Sequence, residues 1–388
     1  MILFYLLKYL KKEFEIWLFI GRFVHMYEIL DYKLNKYWEN LLIENNIHSV
    51  LFSPEYLRLW ELNGDGKAKL FFHKSYYGIV LYPFLIRKIN DLEFFQQMKI
   101  DETFYDITSP YGYGGPLVKP YNKSGIDLLL EGFIKEFSLF CRKNNIVSEF
   151  IRFHPLMENH ENFINRLEME RMNSVIYVDL SVTEEELWGN YKRNNRKNIK
   201  KAMRNDIEVV VDEKFEFLDE FLEIYYETIK KNNAKKYYFF PKIFFEFIRV
   251  SLNKNSVLFI SKIDERIISV ELALYDKDII YSFLGGTLLE YFPLRPNNLL
   301  KHKLILWAKE KNIKYYLIGG GYHPGDGIFE YKRSFSKDGI KDFFVGRKVY
   351  DNKKYKILEE SFEKYLSNNN ITVNLKETKY FPSYRYDP

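Results

Sequence analysis

The chain has 388 residues, 47% hydrophobic, 18% aromatic and 29% charged, with a formal net charge of +5. That balance supplies a substantial core and excludes a disordered or collagen-like polymer, and the length suggests two domains at roughly 100–200 residues each. The single cysteine, Cys141, forms no internal disulfide and rules out a cysteine-rich metal site, so the fold needs no oxidising compartment and the cytoplasm is the expected location.

Residues 1–25 open with the apolar run Met1 to Leu7, and Ile16 to Ile20 is nearly as apolar. A spanning helix needs ~20 apolar residues, and here Lys8, Lys11, Lys12, Glu13 and Glu15 intervene. No positive charge precedes the run and no small-x-small site follows it, which argues against a secretory signal. Leu3, Leu6, Leu7 and Leu10 recur at helical spacing, so the segment is expected to be an amphipathic helix. It either packs on the body or makes a peripheral membrane contact, with Lys8, Lys11 and Lys12 near headgroups; alternatively the start is overlong and Met26 begins the first domain.

Asp31 to Asn45 has a helical pattern, and Ser53-Pro54-Glu55 reads as a cap, a first-turn proline and a first-turn acid opening a second helix through Trp60. Lys67 to His73 and Tyr77 to Arg87 predict a hairpin turning near Ser75. Asp106 to Val118 holds three glycines and two prolines and reads as a shaped loop, with Tyr113 in it. A helix over 122–143 and strands at Ser148 to His154 and Ser174 to Asp179 follow. The second half repeats the order: helices at about 183–204, 216–233 and 241–253, strands Val257 to Ile263, Ile267 to Tyr275 and Ile279 to Leu284, a helix from Asn297 to Lys311, and a strand Tyr315 to Ile318. The expected fold class is α+β, mixed sheets with flanking helices. The element order alone suggests a duplication, with domains at 26–180 and 181–350, and 351–388 as an appended helix and tail.

The charge is concentrated. Trp188 to Asp206 carries seven basic residues against one acid, while elsewhere 51 basic residues face 52 acidic ones. On a helix, Arg193, Arg196, Lys197, Lys200, Lys201 and Arg204 share a broad face, with Tyr191, Ile199 and Met203 turned inward. Such single-sign density without i,i+4 carboxylates is self-repulsive and suits an anion, phosphate above all.

Two glycine segments stand beside this helix. Gly285-Gly286 ends a predicted strand, and Asn297 or Asn298 would cap the helix after it, leaving amides for an anion or a carbonyl oxygen. Gly319, Gly320 and Gly321 open a loop that carries His323 and runs into Lys332 and Arg333, two cations able to hold a negative group. No Walker A pattern, dinucleotide fingerprint, HExxH spacing or GxSxG elbow is present, so nucleotide hydrolysis, a catalytic metal and a covalent nucleophile are disfavoured. Cys141 reads as packing. Direct transfer between two bound substrates remains.

LWGNYKRNNRKNIKKA, then LGGTLLEYFPLRPNNLLKHKLILWAKEKNIKYYLIGGG, then GIFEYKRSFS, together resemble the FemABX-type acyltransferases of the GCN5-related N-acetyltransferase (GNAT) superfamily; YWENLL, SVLFSPEYLRLW and RFHPL in the first half look similar too. The resemblance covers about residues 30–350 and implies two tandem GNAT-like domains. It implies direct acyl transfer to an amine with no metal and no tightly bound cofactor, the donor being aminoacyl-tRNA or acyl-CoA. The implied acceptor is a peptidoglycan stem peptide (muropeptide) or another phosphorylated glycan precursor, the work being done in the cytoplasm or at the inner face of the membrane. Carried over, Arg193, Arg196 and Lys197 meet donor or acceptor phosphates; Tyr113, Asn298 and Arg333 are candidates for substrate contact from the residue pattern alone. The glycines Gly285, Gly319, Gly320 and Gly321 are likewise candidates for the donor side, while Lys332 matches the lysine of the family's closing segment and would neutralise a diphosphate or the developing oxyanion. Neither the pyrophosphate loop of simple acetyltransferases nor a long tRNA-gripping helical insertion is evident, which leaves the donor open. Attack needs a neutral amine, hence a base, and Glu271, Asp106 and His323 are the candidates. A non-catalytic binding protein for RNA or a phosphorylated glycan is the alternative from another class.

Overall fold

The structure is a computed structural model describing residues 26–323 and 325–388, so the expected amphipathic segment 1–25 lies outside the described residues. In chain order the strands are β1 (Met26–Leu30), β2 (Lys67–Ser75), β3 (Gly78–Lys88), β4 (Tyr105–Thr108), β5 (Leu117–Pro120), β6 (Ile146–Arg152), β7 (Glu168–Asp179), β8 (Glu208–Asp212), β9 (Ser256–Ile263), β10 (Arg266–Tyr275), β11 (Ile279–Thr287), β12 (Tyr315–Gly319) and β13 (Ile340–Val349). The helices are α1 (Asn35–Glu44), α2 (Pro54–Leu62), α3 (Glu93–Gln96), α4 (Ile126–Lys143), α5 (Glu184–Asn190), α6 (Arg193–Met203), α7 (Leu218–Lys231), α8 (Lys242–Ser251), α9 (Pro296–Glu310), α10 (Gly327–Arg333), α11 (Asn352–Asn368) and α12 (Leu375–Thr378).

The chain divides into two compact units, neither a single run of chain. Unit 1 takes the described residues up to Trp38, Asp65–Glu170 and Val345–Pro388; unit 2 takes Glu39–Gly64 and Arg171–Phe344. Residues 351–388, expected as an appended helix and tail, are therefore part of unit 1. Leu358, Phe362 and Leu366 of α11, with Leu375 and Tyr384, share a core with Phe94, Phe95, Phe104 and Val147.

Both units use one topology. In unit 1, β1, β2, β3 and β4 form an antiparallel meander, β4 pairs in parallel with β6, and Val345–Val349 of β13 runs antiparallel to β6. In unit 2, β8, β9, β10 and β11 form the meander, β11 pairs in parallel with β12, and β12 pairs antiparallel with β7. A parallel pair demands a crossover, and α4 and α9 supply it. The mixed-sheet expectation holds in each unit, and so does the duplicated element order.

Several elements depart from the sequence reading. The segment Asp106 to Val118 contributes strand residues at both ends, and Gly114 bridges to Phe153. β1, β8 and β13 were not anticipated, because each is short or polar on one side. The helix expected at 183–204 is two helices. A capping box of Thr183 and Glu186 starts α5, then Tyr191 and Lys192 are extended (ψ 140° and 144°) before α6 begins. On α6 the buried positions are Asn195, Ile199 and Ala202, whereas Met203, expected inward, is exposed.

Unit 2 buries Tyr191, Ile199, Phe259, Leu304, Ile305 and Tyr316 in one core, and seats α2 through Trp60, whose ring lies 5.4 Å from Phe244 and 5.7 Å from Phe240. Cys141 is fully buried in unit 1, and burial pushes its thiol well above its usual range. Among the described residues no helix is long and apolar enough to cross a membrane. Replacing the fully buried Trp60 by Ala is expected to cost about 3–5 kcal/mol in urea denaturation followed by circular dichroism, and an unchanged midpoint would refute its role as the anchor of α2.

Candidate active site

The site in unit 2 begins with an interrupted strand pair. β11 and β12 are in register at Ile279–Tyr315, Ile280–Tyr316 and Tyr281–Leu317, where their ladder ends. β11 continues to Thr287 against β10, while β12 turns its last residues to β7, pairing Gly319 with Ile176. The two strands part after Tyr281 and Leu317. Gly285, expected to face the donor, lies inside β11 opposite Glu271, where a Cβ would come within 2.6 Å of the Val270 carbonyl. Gly286 is excluded from larger residues in the same way by Thr228 and Ile224 of α7. These glycines permit close packing, and the register shift between Leu272 and Ala273 marks a bulge in the same strand pair.

Next to the parting point is a buried polar network. Glu271 on β10 is 4% exposed and Lys301 on α9 is 5% exposed; Lys301 Nζ donates to Glu271 Oε2 at 2.6 Å and to Oε1 at 2.8 Å. Ser282 Oγ and the Tyr316 hydroxyl donate to Glu271 Oε1 at 2.7 and 2.8 Å. Lys301 also reaches Ser282 and Tyr316, so the ammonium and the carboxylate are both well bonded. Burial and the Glu271 charge push the Tyr316 hydroxyl well above its ordinary value, and the same two causes act on Tyr331 of α10. The Tyr331 hydroxyl is buried with no hydrogen-bond partner among the described residues.

Lys332 follows it. Its Nζ donates 2.6 Å to the carbonyl of Gly320, one residue past β12. Burial lowers its pKa to about 8, with the Lys301 charge acting in the same direction. The glycine loop folds on Asp326, which caps α10. That carboxylate accepts from the amides of Tyr322, His323 and Phe329, and its oxygen sits 2.2 Å from where a Cβ on Gly321 would be. Gly319 has φ +87°, which side-chain-bearing residues rarely adopt. The three glycines thus shape the loop that holds Lys332, and His323 is exposed on it.

The basic stretch meets this region. The Lys192 amide and Asn195 Nδ2 both donate to the Ser334 carbonyl at the end of α10, and Lys192 Nζ pairs with Glu330 at 2.6 Å. Arg333 also pairs with Glu330, at 3.5 Å, and its buried Nε has no partner among the described residues. The first turn of α6 therefore abuts the C-terminal end of α10. Arg196 is engaged locally: its Nη1 donates to the carbonyls of Trp188, Gly189 and Tyr191, finishing α5. Arg193 and Lys197 are exposed. Asn298 does not cap α9, whose N-cap position is Arg295 in a left-handed conformation with no side-chain bond. It is buried and donates to Asn195 Oδ1 at 2.8 Å, tying α9 to α6. Two expected residues belong to unit 1. Tyr113 packs against His154, and the fully buried Asp106 is held by Arg87 at 2.6 Å and Arg385 at 2.5 Å. A carboxylate so held is a structural ion triad.

Sequence reasoning missed Lys301, Asn195 and Asp326. Lys301 was signalled by a charge in register with Leu304, Ile305 and Ala308 on the buried stripe of α9, and Asp326 by an acid just ahead of a short helix. Among the described residues no group of three or more His, Cys, Asp or Glu side chains is placed to hold a metal ion.

Residues 189–333 match the family model of the acetyltransferase (GNAT) domain. The structure is similar to FemX (TM-score 0.63, 12% identity, covering 86% of this chain and 99% of that one) and to L-PGS from Bacillus licheniformis (0.50, 14%, 80% and 90%). A conserved protein of unknown function from Bacteroides thetaiotaomicron is also similar (0.53, 10%, 84% and 100%). No curated protein matches the chain by sequence. The GNAT match is thus to residues 189–333, the segment that spans the site of unit 2. The fold of the chain as a whole is FemX-like.

Glu271→Gln leaves the Lys301 ammonium buried without its counter-charge, and is expected to cost about 3–5 kcal/mol by chemical denaturation. Adding Lys301→Met should restore most of that loss. A neutral single variant would show that the pair is not a structural unit.

Proposed function

We propose that the protein is a cytoplasmic N-acyltransferase that moves an acyl or aminoacyl group directly to an amino group of a peptidoglycan or surface-polysaccharide precursor. The observation that carries this reading is Lys332, a half-buried cation near an already balanced Lys301–Glu271 pair and bonded to Gly320 just past β12.

The acceptor nitrogen, once neutral, attacks the donor carbonyl; a C–N bond forms and the carbonyl oxygen becomes an oxyanion. Lys332 supplies the positive charge for that oxygen. Collapse breaks the bond to the leaving group, an ester oxygen of aminoacyl-tRNA or the sulfur of acyl-CoA, and the nitrogen loses a proton. Glu271 is committed to Lys301, and Asp106 to two arginines. His323, exposed on the loop that leads to Lys332, is the base this reading retains. Arg193, Lys197 and Arg333 meet substrate phosphates, while Asn298 and Arg196 position α6. The FemX-like fold and the GNAT match at 189–333 support acyl transfer, and likeness to L-PGS supports an envelope component as acceptor. The exposed Arg193 and Lys197 also favour a second reading, a non-catalytic binder of RNA or a phosphorylated glycan, in which they act without Lys332.

Incubation with charged tRNA or acyl-CoA pools and a panel of nucleotide-linked amino sugars and muropeptides should give an acceptor that gains the mass of the acyl group. Binding lost on neutralising Arg193 and Lys197, with no transfer under any donor, would favour the second reading. Lys332→Ala is expected to lower kcat by about 10²–10³-fold in a folded protein. Since the ammonium form is required and its pKa is about 8, turnover should fall as pH rises through that value. Lys332→Arg should move that falling limb upward, and an unmoved limb counts against Lys332 as the oxyanion partner.

A further inference from the structure

A second basic run was not singled out by the sequence reading. From Lys230 to Lys254 there are seven Lys or Arg residues and one acid, Glu246, the same excess of positive charge as in the stretch containing α6, spread over a somewhat longer segment. It covers the end of α7, a short turn and all of α8. α8 buries Phe244, Phe245 and Ile248 inward but presents two large aliphatics outward, Ile243 at 72% exposure and Val250 at 67%, seven residues apart and hence on one face. The turn before it adds Tyr237 and Phe239, each 43% exposed. Lys231 lies 4.3 Å over the ring of Phe292, itself 43% exposed, which places a further aromatic beside the same run.

We propose that this face, α8 with its preceding turn, docks on an anionic lipid surface. An exposed apolar strip flanked by cations is the pattern of an interfacial helix, in which apolar side chains enter the acyl boundary and Lys and Arg meet headgroups. Lys242 pairs with the exposed Asp219 and Arg249 with the half-buried Glu246, which orients these two cations beside the strip and leaves its net positive charge to the other lysines of the run. A second copy of this chain would bring the same excess of positive charge against itself, so charge favours lipid over self-association. The inference is independent of acyl transfer: it concerns α8, whereas the reaction is assigned to α6, α9 and α10.

The test is co-sedimentation of the full chain with vesicles of phosphatidylcholine alone or with about one third phosphatidylglycerol. The expected result is binding to the anionic vesicles that weakens as salt rises from about 0.1 to 0.5 M, with little binding to the neutral ones. Ile243→Glu with Val250→Glu, both at exposed positions, should reduce the anionic partition by about tenfold or more, with unchanged circular dichroism. Because residues 1–25 are identical in both proteins, a variant that partitions as well as wild type overturns the proposal. So does a wild type that ignores anionic vesicles, or a concentration-dependent dimer that the two substitutions abolish. Transfer to a water-soluble acceptor should be the same in variant and wild type, so failure here and failure of the transferase reading are separable.

Discussion

A carboxylate and an ammonium buried together, Glu271 and Lys301, impose the constraint around which unit 2 is arranged. Each alone would carry a desolvation penalty of several kcal/mol, and together, with Ser282 and Tyr316 filling the remaining lone pairs, they form a satisfied and electrically neutral unit. Their neutrality gives Lys332 its significance. Glu271 is already matched, so it and Asp326 only partly offset the burial and the Lys301 charge that depress the Lys332 pKa. Anything that brings negative charge to that position relieves the penalty. A tetrahedral oxyanion does so only as it forms, which is the difference between ground and transition state that accelerates a reaction.

Unit 1 has the same strand order without that charge arrangement. At the corresponding interior, Glu149 on β6 accepts from the hydroxyls of Tyr82 at 2.6 Å and Tyr350 at 2.5 Å, and α4 offers Phe133 and Phe137 on its inner face. Burial raises the Glu149 pKa, which favours the uncharged acid. One topology therefore supports a tyrosine-bonded carboxyl in one unit and an ion pair beside a further cation in the other. Function resides in the side chains placed on the fold: where β4 and β6 part, unit 1 has Arg152 bonded to Thr108 and Ser109, whereas unit 2 has Lys332 beside a buried ion pair.

The sequence made some of this legible and hid the rest for physical reasons. The hairpin β2–β3, the three strands β9–β11 and α9 were visible because each alternates or repeats cleanly enough to reveal a buried face. Lys332 and Glu271 stood out as charges near glycines or inside an apolar strand. Gly285 and Gly286 read as the end of a strand leading to an anion site; what the local pattern did not show is that they let β11 pack within reach of Val270 and Thr228. Assigning α2 to unit 2 and the C-terminal segment to unit 1 depends on contacts such as Trp60 with Phe244 and Phe362 with Phe94, which local periodicity does not encode. The single helix expected across 183–204 failed because two extended residues were read as a continuation.

That break matters for the basic stretch. As one helix it would have carried a solvated cationic face of ordinary kind, with its early residues in mid-helix. The interruption at Tyr191 and Lys192 instead puts Arg193 at the first position of α6 and Lys197 one turn further, with no side-chain cap. Positive charge there opposes the helix dipole, costing about 0.3–1 kcal/mol per exposed cation. Lys200 and Lys201, in the last turn, are favourably placed by the same argument. The cost thus falls on the end of α6 that meets α10 through Ser334 and Glu330. A purely solvated helix would gain by placing acids at that end, as α5 does with Glu184, Glu185 and Glu186. An anion bound at the first turn of α6 would offset the penalty, and the nearby excess of charge at Lys332 has the same sign and the same remedy.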